Sequence, residues 1–286
     1  MAKILDFIKL ARPQQWYKNL LVFLPIIFIG KAFDLNSFLL TIFGFISLCL
    51  ISSSNYILND IIDIKKDRLN PEKRQRPLAS GRVKIWQALI LFALFSAVSV
   101  IIALNLNMNF LYSIIFLFGF TLFYSLILKK EPFADIIVIG INFVVRAMSG
   151  AFIIDVKISP WLILCTFFLA VYLTVGKRHS ELALLGKKAT HHRATLQFYT
   201  PALTNALMII ATTILIISYS LYTFLSEHNY LIYTLPFALY VIFRYFQLVY
   251  SGSSAARHPE RVFLDWRMIL GMLLWSGVTF YILYFV

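Results

Sequence analysis

Asp60, Asp63 and Asp67 close a long apolar stretch at spacings of three and four, and Arg68, Lys73, Arg74 and Arg76 follow directly. If the apolar helix continues past its hydrophobic end, these carboxylates share one face, because positions i, i+3 and i+7 align on a helix. Three carboxylates so placed repel one another at neutral pH unless a cation sits among them. Oxygen ligands alone favour a hard ion such as Mg²⁺, which keeps part of its shell for water and substrate phosphates. Asn59, directly before Asp60, adds a further oxygen. The bases beyond bring donors for phosphate oxygens that the metal leaves uncovered. The pattern fits a magnesium-diphosphate site; the plainer alternative is a solvated ion-pair network at a membrane rim.

The element that must carry these residues is a membrane span. Hydrophobic residues make up 60% of the 286 positions and charged residues only 14%, which excludes an ordinary soluble domain. Apolar runs near the length of about 20 residues that crosses a bilayer core lie at 16–30, 37–58, 85–104, 109–128, 133–154, 160–176, 202–225, 230–250 and 268–286. The expected fold is all-α, a single-domain polytopic bundle of about nine transmembrane helices over residues 1–286. The N-terminal stretch before Asn19 has scattered charges and no cleavage pattern, so it reads as an interfacial amphipathic segment. Nearly all of the 26 Lys and Arg residues fall in alternate loops; the other loops hold only Lys31 and Lys157, and Arg146 and Arg244 lie within spans. Basic short loops stay in the cytoplasm, which puts the N-terminus and the acid cluster on that side of the cell inner (plasma) membrane. Attraction to anionic lipid accounts for the same basic excess. Cys49 and Cys165 both lie in predicted spans, so neither a disulfide nor a thiolate metal site is expected.

Other polar residues sit at membrane depth. Arg146, in the middle of a span, is costly there unless it faces a polar cavity or a partner, so it is a candidate phosphate ligand. A structural pair with Asp135 or Asp155 is the alternative. Asp135, just after Pro132, is placed to orient Lys129, to touch sugar hydroxyls, or simply to stabilise a helix N-terminus. Lys18 and Asn19 begin the first apolar run and either face a cavity or, for Lys18, snorkel. His179 reads as a spacer and His191-His192 as a loop pair, since neither has metal-site spacing.

Asn59-Asp60-x-x-Asp63-x-x-x-Asp67 resembles the first aspartate-rich motif of the UbiA superfamily of intramembrane prenyltransferases. That resemblance implies a nine-helix bundle with a Mg²⁺-diphosphate cavity on its cytoplasmic side. Arg12-Pro13-x-Gln15-Trp16-x-Lys18-Asn19, Pro71-x-Lys73-Arg74-x-Arg76-Pro77, Tyr124-Ser125-x-x-Leu128-Lys129, Arg146-Ala147 and Gly176-Lys177-Arg178-x-x-Glu181-Leu182 are similar to its decaprenyl-phosphate phosphoribosyltransferase branch. Two departures from the wider superfamily stand out. A second aspartate pair is replaced by Gly176-Lys177-Arg178-His179-Ser180-Glu181 after the sixth span, and the usual Tyr-x-x-x-Lys is one residue longer, from Tyr124 to Lys129. Trading carboxylates for cations favours a donor with an additional phosphate.

The resemblance thus implies a glycosyltransferase that moves ribose 5-phosphate from phosphoribosyl diphosphate to a polyprenyl phosphate. A conventional prenyl transfer to an aromatic or glycerol-phosphate acceptor is the alternative. Asp60, Asp63 and Asp67, with Asn59, are expected to hold Mg²⁺, while Lys73, Arg74 and Lys129 stabilise the leaving diphosphate. Lys18, Asn19, Arg68, Arg76, Tyr124, Asp135, Arg146, Lys177, Arg178 and Glu181 are the expected substrate contacts. The expected partners are phosphoribosyl diphosphate, polyprenyl phosphate and the lipid bilayer, with no nucleic acid; a homo-oligomer is left open.

Overall fold

A computed structural model of the chain describes residues 4–71, 73–185, 197–253, 262 and 264–286. His191-His192 lies outside the described residues, as do Lys187, Lys188, Arg193, Arg257 and Arg261. Among the described residues, eight helical segments are long and apolar enough to cross a membrane, and the protein is a multi-pass membrane protein. In chain order the helices are α1 (Ile4–Ala11), α2 (Leu24–Phe28), α3 (Leu35–Ile62), α4 (Ile64–Leu69), α5 (Ile85–Leu106), α6 (Met108–Leu126), α7 (Ala134–Ile153), α8 (Pro160–Leu185), α9 (Pro201–Phe224), α10 (Leu235–Tyr250) and α11 (Trp266–Phe285). A 3₁₀ segment, Asn229–Thr234, extends α10 at its start.

The run expected at 16–30 as a first regular span takes a different form. Arg12 adopts a left-handed conformation, φ 53°, ahead of Pro13, and the chain continues as a 3₁₀ segment, Pro13–Phe23, before the single turn and a half of α2. A 3₁₀ helix rises about 2.0 Å per residue against about 1.5 Å for an α-helix, so the two pieces together have a contour near the thickness of a bilayer core. This segment presses backbone to backbone on α7. A Cβ added to Gly150 would collide with the Val22 carbonyl oxygen, so only glycine allows the approach.

The chain forms two compact units. The first takes the residues up to Ile27, Lys31–Ile127 and Val145–Lys157. Its core gathers Val22, Leu48, Ile51, Phe110, Ile114 and Ile153, and a second cluster joins Leu10 of α1 to Ile57, Leu78, Val83 and Ala88. Helices α3 and α5 are tied at membrane depth by Ser47 and Ser99, each hydroxyl donating to the other's carbonyl at 2.9 Å. Small polar residues suit such a contact because lipid supplies no hydrophobic drive between helices. Amphipathic α1 buries Leu10 and leaves Ile4, Leu5 and Ile8 exposed, as an interfacial segment would.

The second unit takes Phe28–Gly30, Leu128–Val144 and the residues from Ile158 onward. Tyr172, Val175, Met208, Leu215, Tyr245 and Leu248 are among its buried side chains. The polar tips of its aromatics are satisfied: Tyr172 donates to the Ile242 carbonyl at 2.6 Å, and Trp275 donates to the Tyr219 oxygen at 2.7 Å. Asp265 caps α11 by accepting from the Met268 amide at 2.8 Å, and the Arg244 guanidinium braces it.

Two joints matter for function. Helix α3 stops at Ile62, and Asp63 stands between α3 and α4 at φ −89°, ψ 5°, so the expected uninterrupted helix through Asp67 is broken at its middle acid. Helix α8, by contrast, runs to Leu185, past the expected end at 176, which places Lys177, Arg178 and Glu181 on a helix and not in a loop. Good helix formers such as Lys, Arg, Glu, Leu and Ala make up that extension.

Candidate active site

The end of α3 gathers most of the charge in the first unit. Asp60 and Asp67 are both buried, at 3% exposure. A single nitrogen of Arg76, Nη1, donates to Asp60 Oδ1 at 3.0 Å and to Asp67 Oδ2 at 2.7 Å. Arg12 reaches the same Asp60 oxygen through Nη2, and its guanidinium carbon lies 4.9 Å from the centre of the Tyr56 ring. Burying a carboxylate costs several kcal/mol unless it is paired and hydrogen-bonded, and the two arginines supply that pairing. Asp63, on the joint, is less buried and has Lys66 3.6 Å away.

The expected convergence of three carboxylates is therefore corrected. Asp60 and Asp67 meet across Arg76, while Asp63 stands at the break between α3 and α4, nearer Lys66. Among the described residues, no group of three or more His, Cys, Asp or Glu side chains could hold a metal ion. The donor chemistry still fits a hard divalent ion on a smaller set. Asn59, Asp63 and Asp67 follow one another at four-residue steps along α3 and α4, and Mg²⁺ in phosphate-binding sites commonly takes only one or two protein carboxylates.

Below this cluster, Asn19 of the 3₁₀ segment is buried at 1% and joins three elements. Its amide nitrogen donates to Cys49 Sγ at 3.3 Å, and its oxygen accepts from Ser52 at 3.4 Å and from Arg146 Nε at 2.8 Å. Arg146 therefore meets Asn19 at membrane depth. Its neighbour Lys18 diverges and donates to Gln15 at 2.7 Å. Trp16 donates to Ser53, whose hydroxyl in turn donates to the Ala11 carbonyl, and these bonds dock the end of α1 and the start of the 3₁₀ segment on α3.

The remaining basic residues of the loop are spread out. Arg68 is exposed and donates Nε to the Ala79 carbonyl at 3.1 Å. With Lys84 and Trp86 it lines a shallow cavity of about 550 Å³. Arg74 is exposed and Lys73 half-buried, on a turn where both backbone amides donate to the Asn70 carbonyl. Tyr124 lies half-buried near the end of α6.

In the second unit the predicted residues form a buried network. Asp135, 1% exposed, accepts from Arg178 Nε at 2.9 Å and from the Tyr199 hydroxyl at 3.1 Å. Arg178 also donates Nη1 to Glu181, one turn along α8. Tyr199 accepts from the Phe133 amide at 3.0 Å, and Phe133 holds a left-handed backbone, φ 64°. Burial pushes the Tyr199 phenol above its ordinary value, and the Asp135 charge adds to the shift, so it remains a proton donor to that carboxylate. Asp135 thus forms an ion pair with Arg178, a partner that the sequence reading does not name. Arg178 and Glu181, expected on substrate, are committed to this network, whereas Lys177 is half-buried and Lys129 exposed. His179 meets Thr204 at 3.0 Å and the Tyr250 ring at 4.9 Å.

Arg12 and Tyr199 were not singled out by the sequence. Arg12 stood in a recognisable motif but was indistinguishable from the other basic residues ahead of the first span; Tyr199 carried no local signal.

Comparison with known proteins places this architecture. The sequence profile described as UbiA prenyltransferase family matches residues 20–277. The chain is 29% identical to a decaprenyl-phosphate phosphoribosyltransferase of Mycolicibacterium smegmatis, over 97% of this chain and 92% of that protein. It is 30% identical to the protein of that name from Corynebacterium glutamicum, over 90% of this chain and 80% of the relative. In fold it is similar to a UbiA homolog from Archaeoglobus fulgidus solved with GPP and Mg²⁺, at TM-score 0.74 and 20% identity over 97% of this chain and 99% of that one.

Proposed function

The chain belongs to the UbiA prenyltransferase family, and from that premise we propose that it transfers 5-phosphoribosyl from phosphoribosyl diphosphate to a polyprenyl phosphate, releasing diphosphate. The observation that carries this reading is the charged end of α8. Its single acid, Glu181, is bonded to Arg178, which also serves Asp135. A prenyl diphosphate held through a second metal needs free carboxylates at this place, and here they are engaged by a cation. Lys177 beside them suits an additional phosphate instead, which phosphoribosyl diphosphate carries and a prenyl diphosphate lacks. The relatives named for decaprenyl-phosphate phosphoribosyl transfer support the same choice.

Asp63 and Asp67, with the Asn59 amide, are the proposed holders of a Mg²⁺ ion, which when bound neutralises the departing diphosphate. Arg76, Lys73 and Arg74 donate to diphosphate oxygens and stabilise the charge that builds as the bond from C1 to the diphosphate oxygen lengthens. That bond breaks with its electron pair leaving on the diphosphate. A new bond forms between C1 and an oxygen of the lipid phosphate, which is already an anion at neutral pH and needs no general base. Attack comes from the face opposite the leaving group, so inversion at C1 is expected. Arg146, oriented by Asn19 at membrane depth, is a proposed contact for the acceptor phosphate. Lys129 and Lys177 are proposed phosphate ligands of the second unit. The basic loops support a cytoplasmic position for the α3 tip, where a soluble donor is met, while the acceptor diffuses within the bilayer.

The test is a donor competition with purified protein, Mg²⁺ and either labelled phosphoribosyl diphosphate with polyprenyl phosphate or a prenyl diphosphate with aromatic and glycerol-phosphate acceptors. Labelled lipid and an equal amount of diphosphate are expected only from the first pair. Product from the second pair alone establishes conventional prenyl transfer in its place.

A further inference from the structure

We propose that Asp60 is not a metal ligand but the buried anchor of an arginine pair, and that Arg12 and Arg76, aligned by it, form the cradle for the donor's diphosphate. The inference rests on the reading that a diphosphate donor docks at this end of α3, and it assigns the work within that site.

One oxygen of Asp60 accepts from both guanidinium groups. A metal ion taking that oxygen would have to displace two charge-assisted hydrogen bonds, whereas Asp67, equally buried, is shown with only the one from Arg76 to its Oδ2. Asn59 and Asp63 are four residues apart and lie about 40° apart around a helix, whereas Asp60 is turned by about 100° from Asn59 and about 60° from Asp63. Exposure separates the roles further. The Asp60 side chain is 4% exposed, while those of Arg12 and Arg76 are 21% and 30% exposed. The anion is sealed and the cations reach outward. Both Arg76 bonds run through Nη1, so its other edge points away from the carboxylates.

Arg12 is held still more firmly. Its backbone sits at φ 53°, a conformation costly for a residue with a side chain, and its guanidinium lies over the Tyr56 ring. A backbone strain, an aromatic platform and a buried carboxylate converge on one side chain that reaches across 48 residues of sequence. Such over-determination is expected of a group that must meet an anion in a fixed orientation. Asp60 is therefore a positioning residue, and Arg12 and Arg76 are the groups that touch the phosphate.

The experiment uses the full chain in lipid nanodiscs with two probes, Mn²⁺ alone followed by electron paramagnetic resonance, and inorganic diphosphate titrated calorimetrically at saturating Mn²⁺. Asp60→Asn is expected to keep Mn²⁺ affinity within about threefold of wild type while weakening diphosphate by about tenfold or more, the scale of a lost charge-assisted hydrogen bond. Arg12→Gln, at a more open position and so a safer variant for folding, is expected to show the same split, with Arg12→Lys recovering part of the loss. Asp63→Asn is expected to lose Mn²⁺ itself. Equal loss of Mn²⁺ in Asp60→Asn and Asp63→Asn overturns the proposal, as does wild-type diphosphate affinity in Arg12→Gln. Wild-type protein that binds no diphosphate removes the donor reading and this inference together; the other two outcomes remove this inference alone.

Discussion

Replacing Asp135 by asparagine removes the charge that faces Arg178 in one of the most buried ion pairs of the second unit. The two side chains are 1% and 4% exposed, so the cation left behind has little access to water. Breaking a buried pair from one side costs about 3–5 kcal/mol. Glu181 still contacts Arg178 and is 21% exposed, and asparagine still accepts from Tyr199, so the lower end, about 3 kcal/mol, is expected. Removing both charges is a different perturbation. Asp135→Leu with Arg178→Met strands no buried ion and loses chiefly the acceptor for the Tyr199 hydroxyl, about 1 kcal/mol. The double variant is thus expected to be more stable than Asp135→Asn alone, and, since Arg178 is read as structural, to bind phosphoribosyl diphosphate as wild type does. Reversible unfolding in mixed micelles by SDS titration, read by tyrosine and tryptophan fluorescence, measures the first quantity, and donor binding measures the second. A double variant as unstable as the single one refutes the ion-pair reasoning, and a folded double variant that no longer binds donor returns Arg178 to the substrate.

Asp63→Asn and Asp67→Asn are each expected to lower turnover by a factor of about 100 or more, given the weight of electrostatic stabilisation at a leaving group; of the two, Asp67→Asn should also lose stability, because it withdraws a partner from Arg76, and a folded-protein assay beside a rate assay separates these. Gly150→Val should destabilise the first unit by about 1–3 kcal/mol or prevent its folding, since the added atoms collide with the Val22 carbonyl; wild-type thermal stability would deny the close approach. Arg146→Gln is expected to raise the KM for polyprenyl phosphate more than that for the sugar donor, in steady-state kinetics with each substrate varied. For pH, the hydrogen bonds from Arg244 hold the Asp265 carboxyl below its usual range. A depressed folded value contributes stability that is present above the unfolded value of about 3.9 and is lost as pH falls through the folded one. Asp265→Asn should flatten that acid limb of the melting temperature, and an unchanged acid profile would contradict it.

Much of this fold was legible because lipid imposes length. Runs of apolar residues marked the spans of α3, α5, α6, α7, α9, α10 and α11 to within a few residues of the helices that form. The first run looks like another span in sequence, since nothing in its composition shows the left-handed turn at Arg12 or the 3₁₀ winding after it. The joint at Asp63 was equally hidden: Ile61-Ile62-Asp63-Ile64 reads as continuing helix, and the break is set by how the segment packs. The acid-base character of the α3 tip could be read from local sequence. Its pairing could not, because Arg12 meets Asp60 across 48 residues and Arg178 meets Asp135 across 43, separations at which sequence spacing carries no register.

Where a divalent ion binds decides the roles of Asp60, Asp63 and Asp67 most directly. A structure of the full chain in nanodiscs with Mn²⁺ and phosphoribosyl diphosphate, with the ion located by its anomalous or spectroscopic signal, tests it. The ion is expected on carboxylate oxygens of Asp63 and Asp67, with Arg12 and Arg76 on the phosphate oxygens. An ion placed away from both acids, or a donor bound elsewhere while Arg76 still spans Asp60 and Asp67, contradicts it.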